Sequence, residues 1–92
     1  MNRPDRERLI SWLPEIFTEL RGSRYRREGH DMVWPGGLAL NVQRGWVYDF
    51  STSENTTHPI EAIRLADPER RYDSNAAEAW ARQWLAIHPG FG

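Results

Sequence analysis

Residues 38–50, Leu38-Ala39-Leu40-Asn41-Val42-Gln43-Arg44-Gly45-Trp46-Val47-Tyr48-Asp49-Phe50, constrain the fold more than any other stretch of the chain. They read as two antiparallel strands about a tight turn, with Gly45 supplying the backbone freedom at the bend. On the first arm Leu38, Leu40 and Val42 fall on one face. On the second, Trp46, Tyr48 and Phe50 share one face and Val47 and Asp49 share the other. A lone hairpin is marginal in water, so this one must bury an apolar face, and the helical patterns on either side are the available cover. The fold class that follows is α+β. A small antiparallel ribbon or meander of about three to four short strands is preceded by one or two helices and followed by two more.

The flanks fill in that outline. Leu9, Trp12, Leu13, Ile16, Phe17 and Leu20 recur at helical spacing within residues 3–21, with Asn2 or Asp5 able to cap and Pro4 suited to the first turn. Pro14 interrupts the pattern, which predicts two short helices or a kinked one. Gly22 ends this segment. Residues 23–28 then alternate as a short strand with Tyr25 inward and arginines outward, and Met32-Val33-Trp34 returns before Pro35-Gly36-Gly37 breaks the run. Residues 51–57 read as a polar loop. A helix follows from near His58 or Pro59 through Ala66, capped by Thr57 or His58 and stopped by Asp67-Pro68. After a charged connector at 69–73, Ser74 is expected to cap a last helix to about Ile87, with Ala76, Ala77, Trp80, Trp84 and Ile87 as its stripe. The chain is expected to be one domain over residues 1–92: a helical segment 1–21, the meander 22–50, two helices within 58–87, and a tail 88–92.

With 92 residues the buried core is small, roughly 60 to 65% of the surface of the unfolded chain. Five Trp, three Tyr and three Phe offset that shortage, because each aromatic buries a large area. The chain has no Cys, so neither a disulfide nor a thiolate metal site is available to it. No apolar run approaches about 20 residues and no signal-peptide pattern opens the chain, so a soluble protein of the cytoplasm, away from membranes, is expected.

The formal net charge of −1 argues against indiscriminate polyanion binding. The placement of charge is more telling. All 12 basic residues are Arg, and Arg21, Arg24, Arg26 and Arg27 fall within seven positions. Arginine presents a planar fork suited to phosphate or carboxylate and stacks on rings and bases. The three histidines carry no nucleophile motif beside them, and Asp31, Asp49 and Glu54 are not spaced to force oxygens onto one magnesium ion. Asp49 is expected either on the outer face of its strand or as an acceptor for Ser51 or Thr52. No catalytic residue, metal or cofactor is therefore expected.

The order of elements resembles the N-terminal zinc-ribbon domain of toprim-type DNA primases and of phage and plasmid primase-helicases. The residues that carry the resemblance are Arg26-Arg27-Glu28-Gly29, Leu38-Ala39-Leu40-Asn41-Val42, Trp46-Val47-Tyr48-Asp49-Phe50, Ile60-Glu61-Ala62-Ile63 and Ala77-Glu78-Ala79-Trp80-Ala81-Arg82-Gln83-Trp84-Leu85. By that resemblance Asp49 and Thr52 stand where relatives place thiolates, His30 and Asp31 are all that the first knuckle offers, and Glu54-Asn55-Thr56-Thr57 replaces glycines. Four Cys or His ligands make a structural zinc site, so a zinc-ribbon-like fold without zinc is expected.

The resemblance implies a nucleic-acid-binding, template-recognition module of a phage or mobile-element replication protein. Its partners would be single-stranded DNA and a toprim or helicase domain. Arg24, Arg26, Arg27, Arg44 and an exposed aromatic such as Trp34 or Trp46 would form the site, combining positive charge with stacking surface. In the competing arrangement Trp34 and Trp46 are core and the arginines pair with Glu15, Glu19 and Glu28. A stand-alone protein-interaction module or inhibitor on the same scaffold is the alternative function, favoured by the near-neutral charge.

Overall fold

A computed structural model describes residues 1–69 and 71–92. Arg70, in the charged connector expected at 69–73, lies outside the described residues. The chain forms two layers: three helices packed over one face of a five-stranded antiparallel sheet.

Helix α1 runs from Arg3 to Arg21. Asn2 caps it by accepting from the Asp5 N–H at 2.9 Å. The helix is one continuous element through Pro14, not two short helices. Burial on both sides of the proline supplies the reason. Leu9 and Leu13 before it and Ile16 and Phe17 after it enter the same core, and that packing outweighs one lost backbone bond.

The strands are β1 (Arg26–Glu28), β2 (Asp31–Trp34), β3 (Leu38–Asn41), β4 (Trp46–Asp49) and β5 (Glu54–Thr56), paired in sequence order. The fifth strand falls within the polar stretch 51–57 that the sequence assigns to a loop. It is held by its backbone pairing to β4 and by the Glu54 carboxylate, which accepts from Arg64 Nη2 at 2.8 Å, rather than by apolar side chains. Hydrophobic patterning does not register such an edge strand.

Helix α2 (Pro59–Ala66) is buried along most of its length. His58 caps it, its Nδ1 accepting from the Ile60 N–H at 3.2 Å. Helix α3 spans Ser74–Ile87, capped by Asp73 rather than Ser74: Asp73 Oδ1 accepts from the Ala76 N–H at 2.8 Å. Ser74 is freed to donate its hydroxyl to Glu61 Oε1 at 2.5 Å, which ties α3 to α2. That hydroxyl, with Arg64, holds the Glu61 carboxyl below its ordinary range, and Glu54 and Glu61 together raise the Arg64 guanidinium. The residues after α3 fold back over α1. Gly90 O accepts from Arg8 Nε and from the Trp12 indole N–H, both at 3.1 Å, so 88–92 is a packed strap. Among the described residues no helix is long and apolar enough to cross a membrane.

The core is one cluster between the layers, with Met32, Trp34, Leu38, Leu40 and Val47 contributed by the sheet. Register explains that set. Leu40 pairs with Val47 and Leu38 with Asp49, and directly opposed residues share a face. Val47 and Asp49 therefore join the leucines inside, and Trp46, Tyr48 and Phe50 stand outside. Asp49 is correspondingly buried and not on the outer face; it accepts from the Ser51 N–H at 3.0 Å and the Ser51 hydroxyl at 2.6 Å.

Candidate nucleic-acid interface

Among the described residues the outer face of the sheet carries no helix, and β4 together with Phe50, the residue after it, lines that face with three aromatics. Trp46 is 40% exposed and Phe50 63%, with Tyr48 half-buried between them. Their ring centroids lie 5.8 Å apart for Trp46 and Tyr48 and 4.5 Å for Tyr48 and Phe50. Alternate residues of a strand project to one side, so three aromatics at 46, 48 and 50 necessarily form a ladder. Tyr48 heads a row across the sheet: Asn55 on one side, then Ala39, Val33 and Arg26 on the other. The neighbouring row is Trp46, Asn41, Asp31 and Glu28. Val33, Ala39, Gly37 and Phe50 with Arg26 and Asp31 line a shallow depression of about 460 Å³, small and apolar at its floor and charged at its far edge.

The turn between β3 and β4 positions the head of the ladder. Asn41 Oδ1 accepts from the N–H groups of Gln43 at 3.1 Å and Arg44 at 2.9 Å, and its amide donates to Asp31 Oδ1 at 3.0 Å. Gly45 takes φ +66°, and a Cβ there would lie 3.0 Å from Ile10 Cγ2. The close approach of α1 and the left-handed backbone both call for glycine. Arg44 is left exposed at the tip beside Trp46.

The five residues expected to form the site are not brought together. Arg26 borders the aromatic face, where it forms an ion pair with Glu28 at 2.8 Å; both side chains are exposed, so the pair is weak and exchangeable. Arg44 sits at the ladder's head. Arg27 belongs to the opposite face, because it pairs with the inward Met32, and its guanidinium donates to Gly29 O at 3.4 Å. Arg24 lies in a separate groove beside Leu20, Pro35 and Pro68. Trp34 is the correction: it is 2% exposed, packs 5.6 Å from the Phe17 ring, and donates its indole N–H to Gly22 O at 2.8 Å. A ring enclosed in this way has no face to offer a base. Trp46, which the competing arrangement assigns to the core, is the exposed tryptophan, while Trp12, Trp80 and Trp84 are half-buried. Tyr48 and Phe50 share this face with Trp46 but are not among the residues that the sequence marks for the site. The period-two alternation groups them with Trp46 but does not say which face the helices cover.

The positions that match zinc ligands in the resemblance do not converge. Asp31 lies in an outward row and Asp49 in an inward one. Among the described residues no group of three or more His, Asp or Glu could hold a metal ion. His88 stacks on Trp84 at 3.9 Å and His58 is engaged in its cap. The fold and this face together define a small two-layer α+β module whose sheet is open on its aromatic side. The chain matches none of the protein families, curated proteins or solved structures with which it was compared.

Proposed function

We propose that the chain is a non-catalytic, single-stranded nucleic-acid-binding module that stacks bases on the Trp46–Tyr48–Phe50 ladder, with Arg26 and Arg44 taking phosphates at its borders. The observation that carries this reading is a run of three neighbouring aromatics on an uncovered sheet face, Trp46 and Phe50 exposed and Tyr48 half-buried between them. Folding buries such rings wherever it can, and a contiguous exposed patch marks a surface with a partner. Bases are suitable partners because each has a π-face, and stacking on protein aromatics contributes about 1–3 kcal/mol per base. In this reading the module recognises template DNA beside a toprim or helicase domain of a phage or mobile-element replication system, in the cytoplasm and without bound zinc. That context rests on the resemblance carried by the residue patterns at 26–29, 38–42, 46–50, 60–63 and 77–85.

A second reading, protein binding through the same face, is favoured by Glu28 and Asp31 at its edge and by the net charge of −1. Fluorescence anisotropy with a labelled oligothymidylate of about 12 nucleotides, at low and moderate salt, separates the two. Saturable binding that weakens with salt and is lost in the Trp46→Ala/Phe50→Ala variant supports the nucleic-acid reading. No binding at low salt, or equal affinity in the variant, removes it and leaves protein binding.

A further inference from the structure

A depression of about 300 Å³ opens at the end of the sheet where the aromatic ladder begins. Arg3, Arg6, Glu7 and Ile10 of α1 form one wall, and Thr57 and His58, at the start of α2, form the other. Two contacts place it beside Trp46. Ile10 packs against Gly45, so the β3–β4 turn that carries Arg44 and leads into Trp46 rests on the first wall. On the second side β5 ends at Thr56, opposite Val47, so Thr57 leaves the sheet one residue step from Trp46. Arg6 supplies the net charge of the depression. Arg3 and Glu7 form an exposed pair at 3.1 Å and largely offset each other. Arg6 is exposed one turn before Ile10, and among the described residues its guanidinium has neither an ion pair nor a hydrogen bond; the same holds for Arg44. His58 Nδ1 accepts from the Ile60 N–H at 3.2 Å, so the proton of the neutral ring is on Nε2 and the ring has a donor left to offer.

From this juxtaposition we propose that the depression takes a backbone phosphate of the strand whose bases stack on the ladder. The inference rests on the sheet-face reading and gives that strand a path off the sheet: past Trp46 and Arg44, over Ile10, to Arg6 and His58. The chemistry is complementary. A phosphodiester carries one negative charge and oxygens that only accept, while Arg6, His58 Nε2–H and the Thr57 hydroxyl can all donate, and the guanidinium fork matches two phosphate oxygens at once. A guanidinium in the first turns of α1 is also set against the helix dipole, and an anion held beside it offsets that cost. The two unpaired arginines, Arg6 and Arg44, thus flank the single contact of Ile10 with Gly45, so one strand can meet both without crossing a carboxylate other than the already paired Glu7.

The test compares labelled oligothymidylates of about 12 and about 4 nucleotides, the shorter able to cover the ladder but not to reach Arg6 as well. Arg6→Ala, an exposed change outside the core, is expected to weaken the longer strand about fivefold, to lower its salt slope by about 0.7 and to leave the shorter strand unaffected. Arg82→Ala removes the same charge from α3 and is expected to change neither. In isotope-labelled protein the longer strand should shift the His58 ring and Thr57 amide signals, with inorganic phosphate at matched ionic strength as the parallel titrant. Unchanged affinity of the longer strand in Arg6→Ala, an equal loss in Arg82→Ala, or His58 shifts with inorganic phosphate and none with the oligonucleotide would each overturn the proposal. In those cases binding that still depends on Trp46 and Phe50 leaves the sheet-face reading standing, whereas no binding of either strand by the wild type overturns both.

Discussion

Asp67 is fully buried at the end of α2, and replacing it tests how the connector to α3 is held. Among the described residues its carboxylate accepts from the backbone N–H groups of Arg71 at 2.6 Å, Glu69 at 3.2 Å and Tyr72 at 3.2 Å. Hydrogen bonds to an ionised acceptor contribute about 1.5–3 kcal/mol each, but burial of the charge and the two longer contacts subtract from the sum. The Arg71 guanidinium, 3.6 Å away and 58% exposed, adds little. Asp67→Ala should therefore cost about 3 kcal/mol, and Asp67→Asn, which keeps one acceptor oxygen, about half that. Against the roughly 5–14 kcal/mol typical of a chain this long, the alanine variant is conspicuous. With a urea slope of about 1.5 kcal/mol/M its unfolding midpoint falls by about 2 M.

The same site predicts a pH dependence. Burial pushes the Asp67 carboxyl up, but the N–H bonds from Glu69, Arg71 and Tyr72 and the Arg71 charge together hold it below its ordinary 3.8. A depressed carboxylate stabilises fully above its unfolded value, and its contribution is lost as pH falls through the lower folded value. Wild type should thus lose stability on acidification below about pH 4, and Asp67→Asn should show a shallower acid limb. Urea unfolding monitored by circular dichroism at pH 7 and through pH 4 to 2 measures both. Wild-type-like midpoints in both variants, or an unchanged acid limb in Asp67→Asn, would refute the assignment of these bonds as the connector's anchor.

Phe50→Ala should leave the unfolding midpoint within about 1 kcal/mol of wild type, because the ring is largely exposed, while oligonucleotide affinity falls about fivefold or more; a loss of stability without a loss of affinity would make Phe50 a packing residue. Arg26→Ala/Arg44→Ala should reduce the salt slope of single-strand binding by about 1.4, measured by anisotropy over a range of salt concentrations. Asn41→Ala removes three hydrogen bonds at the head of the ladder and is expected to cost about 1–2 kcal/mol, with the Trp46 fluorescence environment altered. Arg64→Ala leaves Glu54 and Glu61 facing each other without their shared cation, and amide exchange in β5 should rise before that in β3.

Apolar spacing alone placed the helices, since Leu9, Leu13, Ile16 and Phe17 can share a core only on a helix, and Pro59 and His58 marked the start of α2. The hairpin and its alternation were equally local, because a period of two follows from strand geometry whatever surrounds it. What alternation cannot specify is which of two apolar faces the helices cover. Trp46, Tyr48 and Phe50 are more hydrophobic in bulk than Val47 and Asp49, yet they stand outside. The pairing of Leu38 with Asp49 and Leu40 with Val47 puts the smaller residues under the helical layer. That choice belongs to the whole fold. It depends on the Asn41–Gly45 turn, on the close approach of Ile10 to Gly45, and on Trp34 filling the space beside Phe17. The enclosure of Trp34 and the exposure of the β4 aromatics are settled by contacts between residues far apart in the chain, which no local pattern encodes.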